Sequence, residues 1–231
     1  METMDFHSAF TEKAHGCRDI TSSDIEDFKV DLKSFRTKES LIDSVSQVTI
    51  LGDREFKIYE GAVISIESIP INLIQPSACY LLKSGVDQQE NFHDFLKAKH
   101  SFEIFNLETG LIYSQDGKDH FISPPVVEHY TEENGEEVYV LIDGIHRVFV
   151  AKKLGHETLN VILVRGAKLP PASMPVPWGK VKTMDVPPPT DEKKVFRNTF
   201  KFPSVINIDT KIDSRYILYR DFSPLGSHGV R

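Results

Sequence analysis

The segment Asp143-Gly144-Ile145-His146-Arg147 brings acidic, cationic and hydrogen-bonding side chains together within five residues. The residues before it, 138–142, are apolar and typical of a strand. The residues after it have the apolar spacing of a helix that ends at Gly155. The first amides of a helix have no internal acceptors and lie at the positive end of its dipole. Such a strand-to-helix junction favours the binding of an anion.

The side chains at this junction suit a phosphate group. Arg147 offers planar, bidentate hydrogen bonds, His146 adds a donor near neutral pH, and Gly144 permits a tight turn. Asp143 would repel a bare phosphate, so it should bind Mg²⁺, accept a hydroxyl proton or cap the helix. The simplest alternative is an Asp143 cap beside a surface arginine and an incidental histidine.

Short strands and hairpins are predicted to position this junction. The dipeptides Asp116-Gly117 and Asn134-Gly135 favour tight hairpin turns, and the second hairpin leads directly into the junction. A further apolar strand is expected at residues 158–164, after the helix. Upstream, strands are predicted at residues 48–51, 55–60 and 62–66, and a helix at residues 92–99. This order of elements predicts an α+β fold.

The flanks differ from this centre. An amphipathic helix is predicted from Ser23 to Phe35, because its apolar residues recur at helical spacing and Ser23-x-x-Glu26 fits a capping box. Residues 169–189 are rich in proline and predict an extended connector, with Trp178 as an anchor. We therefore expect an N-terminal extension of helix and strands (1–60), a core (61–168), and a connector with a C-terminal tail (169–231).

Composition limits the classes of function. The net charge of −7 disfavours non-specific nucleic-acid binding. No stretch has the ~20 apolar residues of a membrane span, and the N-terminus lacks the pattern of a secretion signal. Cys17 and Cys79 form no disulfide framework. We expect a cytoplasmic protein that contacts no membrane, and the acidic charge disfavours DNA binding. The sequence leaves its oligomeric state open.

A longer stretch around the junction, VLIDGIHRVFVAKKLGHETLNVILV (140–164), resembles the closing strand–helix–strand of the ParB/sulfiredoxin superfamily. Upstream, VISIESIPINLIQP (63–76) resembles that family's opening strand and loop, and PPVVEHY (124–130) a later strand. The resemblance covers about residues 62–166. It implies a mixed sheet with packed helices that binds a nucleotide, flanked here by N-terminal and C-terminal extensions.

The branches of this superfamily imply different chemistry. Sulfiredoxins carry a cysteine where this chain has Ile145, so thiol repair is not expected. ParB partition proteins bind CTP with Mg²⁺ and clamp DNA through a helix-turn-helix domain. We do not expect that domain here, because a proline-rich connector follows the core and the charge is acidic. The free serine kinase branch, with the motif D-G-H-H-R, is the most similar. It implies transfer of phosphate from ATP or ADP to a small hydroxylated amino acid.

One position departs from the kinase pattern. Kinases of this branch carry a catalytic glutamate just after the loop proline, where this chain reads Pro76-Ser77-Ala78. Ala78 therefore stands in the place of the glutamate. Either Asp143 or Glu67 serves as general base, or the pocket binds a nucleotide without phosphoryl transfer.

These observations predict a Mg²⁺-dependent phosphotransferase or NTPase that uses ATP, ADP or CTP, with a small hydroxylated metabolite as acceptor. Asp143 and His146 are the predicted catalytic residues, and Asp143 is the predicted Mg²⁺ ligand. Gly144, Ile145, His146 and Arg147 are predicted to bind the nucleotide. The alternative function is a non-catalytic ParB-like module that binds a nucleotide or another protein.

Overall fold

A computed structural model describes residues 30–115, 117–132, 134–187, 194–195 and 216–226. The helices are α1 (Lys38–Ser46), α2 (Lys83–His100) and α3 (Ile145–Lys153). The strands are β1 (Val30–Phe35), β2 (Thr49–Ile50), β3 (Asp53–Lys57), β4 (Val63–Pro70), β5 (Ile74–Pro76), β6 (Tyr80–Leu82), β7 (Leu111–Gln115), β8 (Lys118–Ile122), β9 (Val126–Thr131), β10 (Glu137–Asp143), β11 (Thr158–Arg165), β12 (Lys182–Met184) and β13 (Arg220–Asp221). The predicted α+β fold is confirmed.

A five-stranded mixed sheet forms the centre, in the order β4-β11-β9-β10-β5. The β9–β10 hairpin is antiparallel, whereas β11 runs parallel to β9 and β5 runs parallel to β10. In β11 the four consecutive residues 161–164 are buried. Such a run indicates a strand covered on both faces of the sheet.

Two apolar cores cover these faces. Val161 and Leu163 belong to the core beneath α2 and α3, which also includes Phe92, Leu96 and Val148. Ile162 and Val164 point to the other core, which α1, Tyr59 and the C-terminal residues Ile217 and Leu218 complete. The alternation of side chains along a strand therefore assigns neighbouring residues of β11 to different cores.

The helix predicted from Ser23 to Phe35 is wrong for residues 30–35, which form strand β1. This strand pairs antiparallel with β7, with Val30 opposite Gln115 and Phe35 opposite Leu111. The ladder supplies the backbone hydrogen bonds, and Phe35 is 54% exposed, so no helical stripe is buried here. Helix α1 starts later, where the Thr37 hydroxyl accepts a hydrogen bond from the Ser40 amide at 3.1 Å. The rest of the predicted helix lies outside the described residues.

The proline-rich connector runs beside β5 and β6. The Val176 amide donates to the Pro76 carbonyl at 2.9 Å, and β12 pairs parallel with β6. The Trp178 indole Nε1 donates to the Ile74 carbonyl at 2.7 Å, and its ring packs near Phe149 of α3. The prediction that Trp178 anchors the connector is confirmed by these contacts.

A buried ion pair joins the C-terminal segment to the central sheet. The Arg220 guanidinium donates from Nε to one Glu128 oxygen at 2.7 Å and from Nη2 to the other at 2.9 Å. It also donates to the carbonyls of Leu218 and Leu169, and the Tyr59 hydroxyl donates to Glu128. Four separate stretches of chain therefore meet at one carboxylate and one guanidinium, and both side chains are buried.

This environment shifts the pKa of both partners of Glu128. Burial, together with the Glu128 charge, raises the pKa of Tyr59 well above its usual value. Burial alone would lower the pKa of Arg220, but the attraction of Glu128 outweighs it and the pKa of Arg220 is raised. The phenol therefore stays neutral and the guanidinium stays charged.

Among the described residues, no helix has the length and apolar character needed to cross a membrane.

Replacing Arg220 by methionine should destabilise the fold by about 3–5 kcal/mol, because Glu128 would stay buried without its charged partner. Urea unfolding measures this loss. Arg54→Met, at an exposed residue of β3, is the matched control and should change stability by less than about 0.5 kcal/mol. The double substitution Arg220→Met with Glu128→Leu should lose less than Arg220→Met alone. Equal stability of Arg220→Met and Arg54→Met would contradict the structural role given to the ion pair.

Candidate functional site

Gly144 makes the turn from β10 into α3. Its φ of +87° lies in the left-handed region, and it is the N-cap residue of α3. A Cβ at this position would lie 2.9 Å from the Pro125 Cβ. Both the backbone conformation and the close approach of Pro125 therefore require glycine here.

The Arg147 side chain is buried beneath this junction and contacts residues on both sides of it. Its side chain is only 11% exposed; Nη1 donates to the Ser123 carbonyl, and Nη2 lies 3.7 Å from an Asp143 oxygen. Burial lowers the pKa of Arg147, and the Asp143 charge and Tyr113 oppose this shift. The guanidinium is thus partly engaged by the protein itself. It positions the segment between β8 and β9 and adds buried positive charge near the start of α3.

The imidazole of His146 packs against the backbone of α2. A Cβ added to Gly85 would lie 2.7 Å from the His146 Nε2 atom, so only glycine leaves room for this ring. The Nε2 atom is buried and has no hydrogen-bond partner among the described residues. Burial lowers the pKa of His146; the Asp143 charge opposes this shift and Arg147 adds to it. The ring is therefore neutral at pH 7, with one polar atom unsatisfied.

Helices α2 and α3 run side by side in the same direction. Gly85 meets His146 near the two N-termini, and the Glu90 carboxylate lies 2.5 Å from the Lys153 ammonium further along both helices. The first turn of α2 holds no acidic residue, and its N-cap, Leu82, makes no side-chain capping bond. The positive N-terminal ends of two helices thus lie together beside His146. This pairing favours the binding of an anion.

Sequence reasoning missed Lys83, Ser84 and Gly85 as part of this site. It predicted the helix only from Phe92, because residues 83–91 are mostly polar and the residue at the N-cap, Leu82, has a side chain that cannot cap a helix. One signal was present: Val86 lies seven residues before His93 and falls on the same helical face. Both side chains are buried.

Asp143 stands at the carboxyl end of β10 with its side chain 46% exposed. It makes no capping bond to α3, since Gly144 occupies the N-cap position. No group of three or more metal-binding side chains occurs in the part of the chain that the structure describes. One exposed carboxylate nevertheless fits Mg²⁺, which usually binds proteins through one or two carboxylates plus substrate phosphates and water.

Ala78 lies close to the same edge of the sheet. Pro76 is opposite Leu141 in the parallel β5–β10 pair. Two residues further along each chain come Ala78 and Asp143, so both lie at the carboxyl ends of these neighbouring strands. The expected position of the kinase glutamate therefore adjoins the site but carries only a methyl group.

Glu67, the other carboxylate considered as a general base, does not belong to this site. It lies on β4, three strands from β10, or about 14 Å across the sheet. Two hydrogen bonds from Arg165, at 2.6 and 2.9 Å, and one from Ser65 lower the pKa of Glu67 to about 2. The prediction that Glu67 could act as the base is wrong, because its carboxylate is committed to Arg165.

A comparison with curated proteins finds no match. The family model of the ParB CE domain matches residues 40–185, which is more than half of the chain. The matched range includes the central sheet, α2, α3, the DGIHR junction and the connector along β5 and β6. The chain therefore belongs to the ParB CE domain family.

Proposed function

We propose that this ParB-like domain binds a nucleoside polyphosphate, ATP, ADP or CTP, together with Mg²⁺ at the paired N-termini of α2 and α3. The observation that carries the proposal is the buried, unpartnered Nε2 atom of His146. It lies against Gly85, where two helix ends without acidic side chains in their first turns meet. A phosphate oxygen would accept a hydrogen bond from this nitrogen and from amides in the first turns of both helices.

Each residue of the site has a distinct task in this proposal. The amides of Ser84 and Gly85 in α2, and those at the start of α3, including Ile145, donate to phosphate oxygens. Gly144 lets the α3 amides approach closely, and the neutral His146 ring donates from Nε2. Because Gly85 covers this atom, the imidazole must turn out of the contact when a nucleotide binds.

Arg147 and Asp143 act around the phosphates. The Arg147 guanidinium donates to the Ser123 carbonyl and contributes positive charge. Its main role is therefore to position the site, and direct hydrogen bonding to the phosphates is secondary. Asp143 would bind the Mg²⁺ that accompanies the nucleotide.

Phosphoryl transfer to a small hydroxylated metabolite, or to water, is the second candidate function. The exposed Asp143 carboxylate favours it, because this group stands where a general base could take the proton of an acceptor hydroxyl. The methyl group of Ala78 argues against efficient transfer of the serine kinase type. We therefore place nucleotide binding first and turnover second.

Replacing His146 by alanine should weaken nucleotide binding roughly tenfold, since one buried hydrogen bond is worth about 1–1.5 kcal/mol. Calorimetric titration with ATP, ADP and CTP, each with Mg²⁺, measures the effect. His100→Ala, at the exposed C-terminal end of α2, is the matched control and should bind like the unmodified protein. Absence of heat with all three nucleotides at millimolar concentration would refute the proposed function.

Replacing Gly85 by alanine should weaken nucleotide binding at least as much, because the added methyl group would fill the space between the two helix N-termini that the His146 ring must leave to the phosphate. Gly179→Ala is the control, since no atom lies within 4 Å of a Cβ at that position. The double variant Gly85→Ala with His146→Ala should regain stability but not affinity. Normal affinity in Gly85→Ala would show that the ring and the α2 N-terminus do not form the site.

Asp143→Asn should abolish any phosphate release or transfer, because an amide cannot take the hydroxyl proton and binds Mg²⁺ poorly. The measurement is phosphate production from ATP or CTP over several hours, with and without small hydroxylated acceptors. If the unmodified protein binds a nucleotide but shows no turnover, the second candidate function is excluded and the domain is a binding module. Turnover that persists in Asp143→Asn would exclude Asp143 as the base.

A further inference from the structure

The two edges of the central sheet differ in how they are covered. The short strand β5 forms one edge, where the Val176 amide of the connector donates to the Pro76 carbonyl. Strand β4 forms the other edge, and among the described residues it pairs only with β11. It is eight residues long, and its ladder with β11 has no register shift. A long, regular edge of this kind readily pairs with a strand of another chain.

The register of β4 determines which of its backbone groups face outwards. Residues directly opposite each other in an antiparallel pair alternate between pairs that exchange two backbone hydrogen bonds and pairs that exchange none. Just beyond β4, the Ile71 amide donates to the Glu157 carbonyl at 2.9 Å, so the odd-numbered residues of β4 bond to β11. The N–H and C=O groups of Ile64, Ile66 and Ser68 therefore point away from the sheet.

The ends of β4 limit this outward edge to residues 63–69. Pro70 also lies at an outward-facing position, and it has no N–H group to donate. At the other end the chain turns away, because the Ala62 amide donates to the Tyr59 carbonyl at 3.0 Å. Ile66 is the midpoint of the remaining segment. The edge is therefore complementary to a second copy of itself that runs in the opposite direction.

We propose that β4 pairs antiparallel with β4 of a second copy of this chain, about a two-fold axis that passes between the two Ile66 residues. In this register Ile64 of each copy is opposite Ser68 of the other. Each outward-facing pair then exchanges two backbone hydrogen bonds. The two five-stranded sheets join into one continuous sheet, with α2 and α3 of both copies on the same face. The pairing needs no nucleotide and does not rest on the proposed function.

The two neighbouring registers fit less well. A register centred on Glu67 would place two carboxylates directly opposite each other, and like charges in this position destabilise a strand pair. It would also place Ile64 opposite Pro70, which cannot donate. A register centred on Ser65 would pair only the outward groups of Ile64 and Ile66. The register centred on Ile66 therefore forms the most hydrogen bonds without opposing charges.

The side chains on the α2 and α3 face also suit this register. Glu67 lies opposite Ser65 of the other copy, and Arg165 of its own chain already donates two hydrogen bonds to its carboxylate. Val63 lies opposite Ile69 of the other copy. Because Val63 is 64% exposed in the single chain, the pairing would cover an apolar side chain that the fold leaves in water.

The mass of the protein in solution tests the proposal. One strand pair forms a small interface, so sedimentation equilibrium should show 26.2 kDa at low micromolar concentration and twice this mass as the concentration rises. Ser68→Pro removes an outward N–H at an exposed residue and leaves the β11 ladder intact. It should weaken dimerisation roughly tenfold or more, since each copy loses a hydrogen bond. Ser68→Ala keeps the N–H and is the matched control, which should dimerise like the unmodified protein.

A second variant serves if Ser68→Pro folds poorly. Val63→Asp places a charge opposite the apolar Ile69 of the other copy and should also weaken dimerisation roughly tenfold. Val186→Asp is the control, at a residue just after β12 that is 70% exposed. It should leave the dimer unchanged.

Hydrogen exchange of single amides tests the register. At concentrations where the dimer forms, the amides of Ile64, Ile66 and Ser68 should exchange slowly, and dilution should make them fast. The amides of Ser65 and Glu67, which bond to β11, should stay slow throughout. A protein that is monomeric at every concentration, or a dimer that neither Ser68→Pro nor Val63→Asp weakens, would overturn the proposal. Outward amides protected at every concentration would overturn it too, because another part of the chain would then cover β4.

Discussion

The contact between the Gly85 backbone and the His146 imidazole is the constraint on which the candidate site depends. It brings the first turn of α2 to the first turn of α3, so that the N-terminal amides of both helices lie near one place. It also removes the Nε2 atom from water without giving it a partner among the described residues. Buried polar atoms without a hydrogen-bond partner are rare in proteins. An anion that binds and dissociates at this position would give the Nε2 atom its partner.

The other face of the sheet keeps this arrangement in place. Strand β9 carries Glu128 on that face, and the Glu128–Arg220 pair ties the C-terminal segment to it. The strand begins just after Ser123 and Pro125, which contact Arg147 and Gly144. The β9 strand thus connects the buried ion pair with the junction, although α1 and the C-terminal residues never approach His146 directly in the contacts described.

Local signals explain why the junction could be predicted from the sequence. An apolar run, one glycine and an immediate helical pattern determine the turn at Gly144, and the two Gly-containing dipeptides determine the hairpins. The start of α2 at Lys83 gave no comparable signal, because the helix lacks a capping residue and begins with polar residues. The apolar spacing between Ile25 and Phe35 fits a helix on its own, but residues 30–35 pair with β7, and tertiary pairing overrides such a pattern.

The ion pairs between distant parts of the chain could not be predicted from the sequence, because no local pattern marks either partner. Glu128 and Arg220 are 92 residues apart, and nothing in either local stretch indicates that both are buried. Similarly, Glu67 could be considered a base only while its partner Arg165, 98 residues away, was unknown. Charged residues acquire their roles from partners that the fold selects, whereas turns and caps are determined by near neighbours.

The central claim is that the paired N-termini of α2 and α3 hold a polyphosphate. A crystal structure with a non-hydrolysable ATP analogue and Mg²⁺ tests it most directly. The account predicts phosphate oxygens within about 3 Å of the His146 Nε2 atom and of the amides of Ser84 and Gly85. An analogue bound elsewhere, with the imidazole still packed on Gly85, would contradict it.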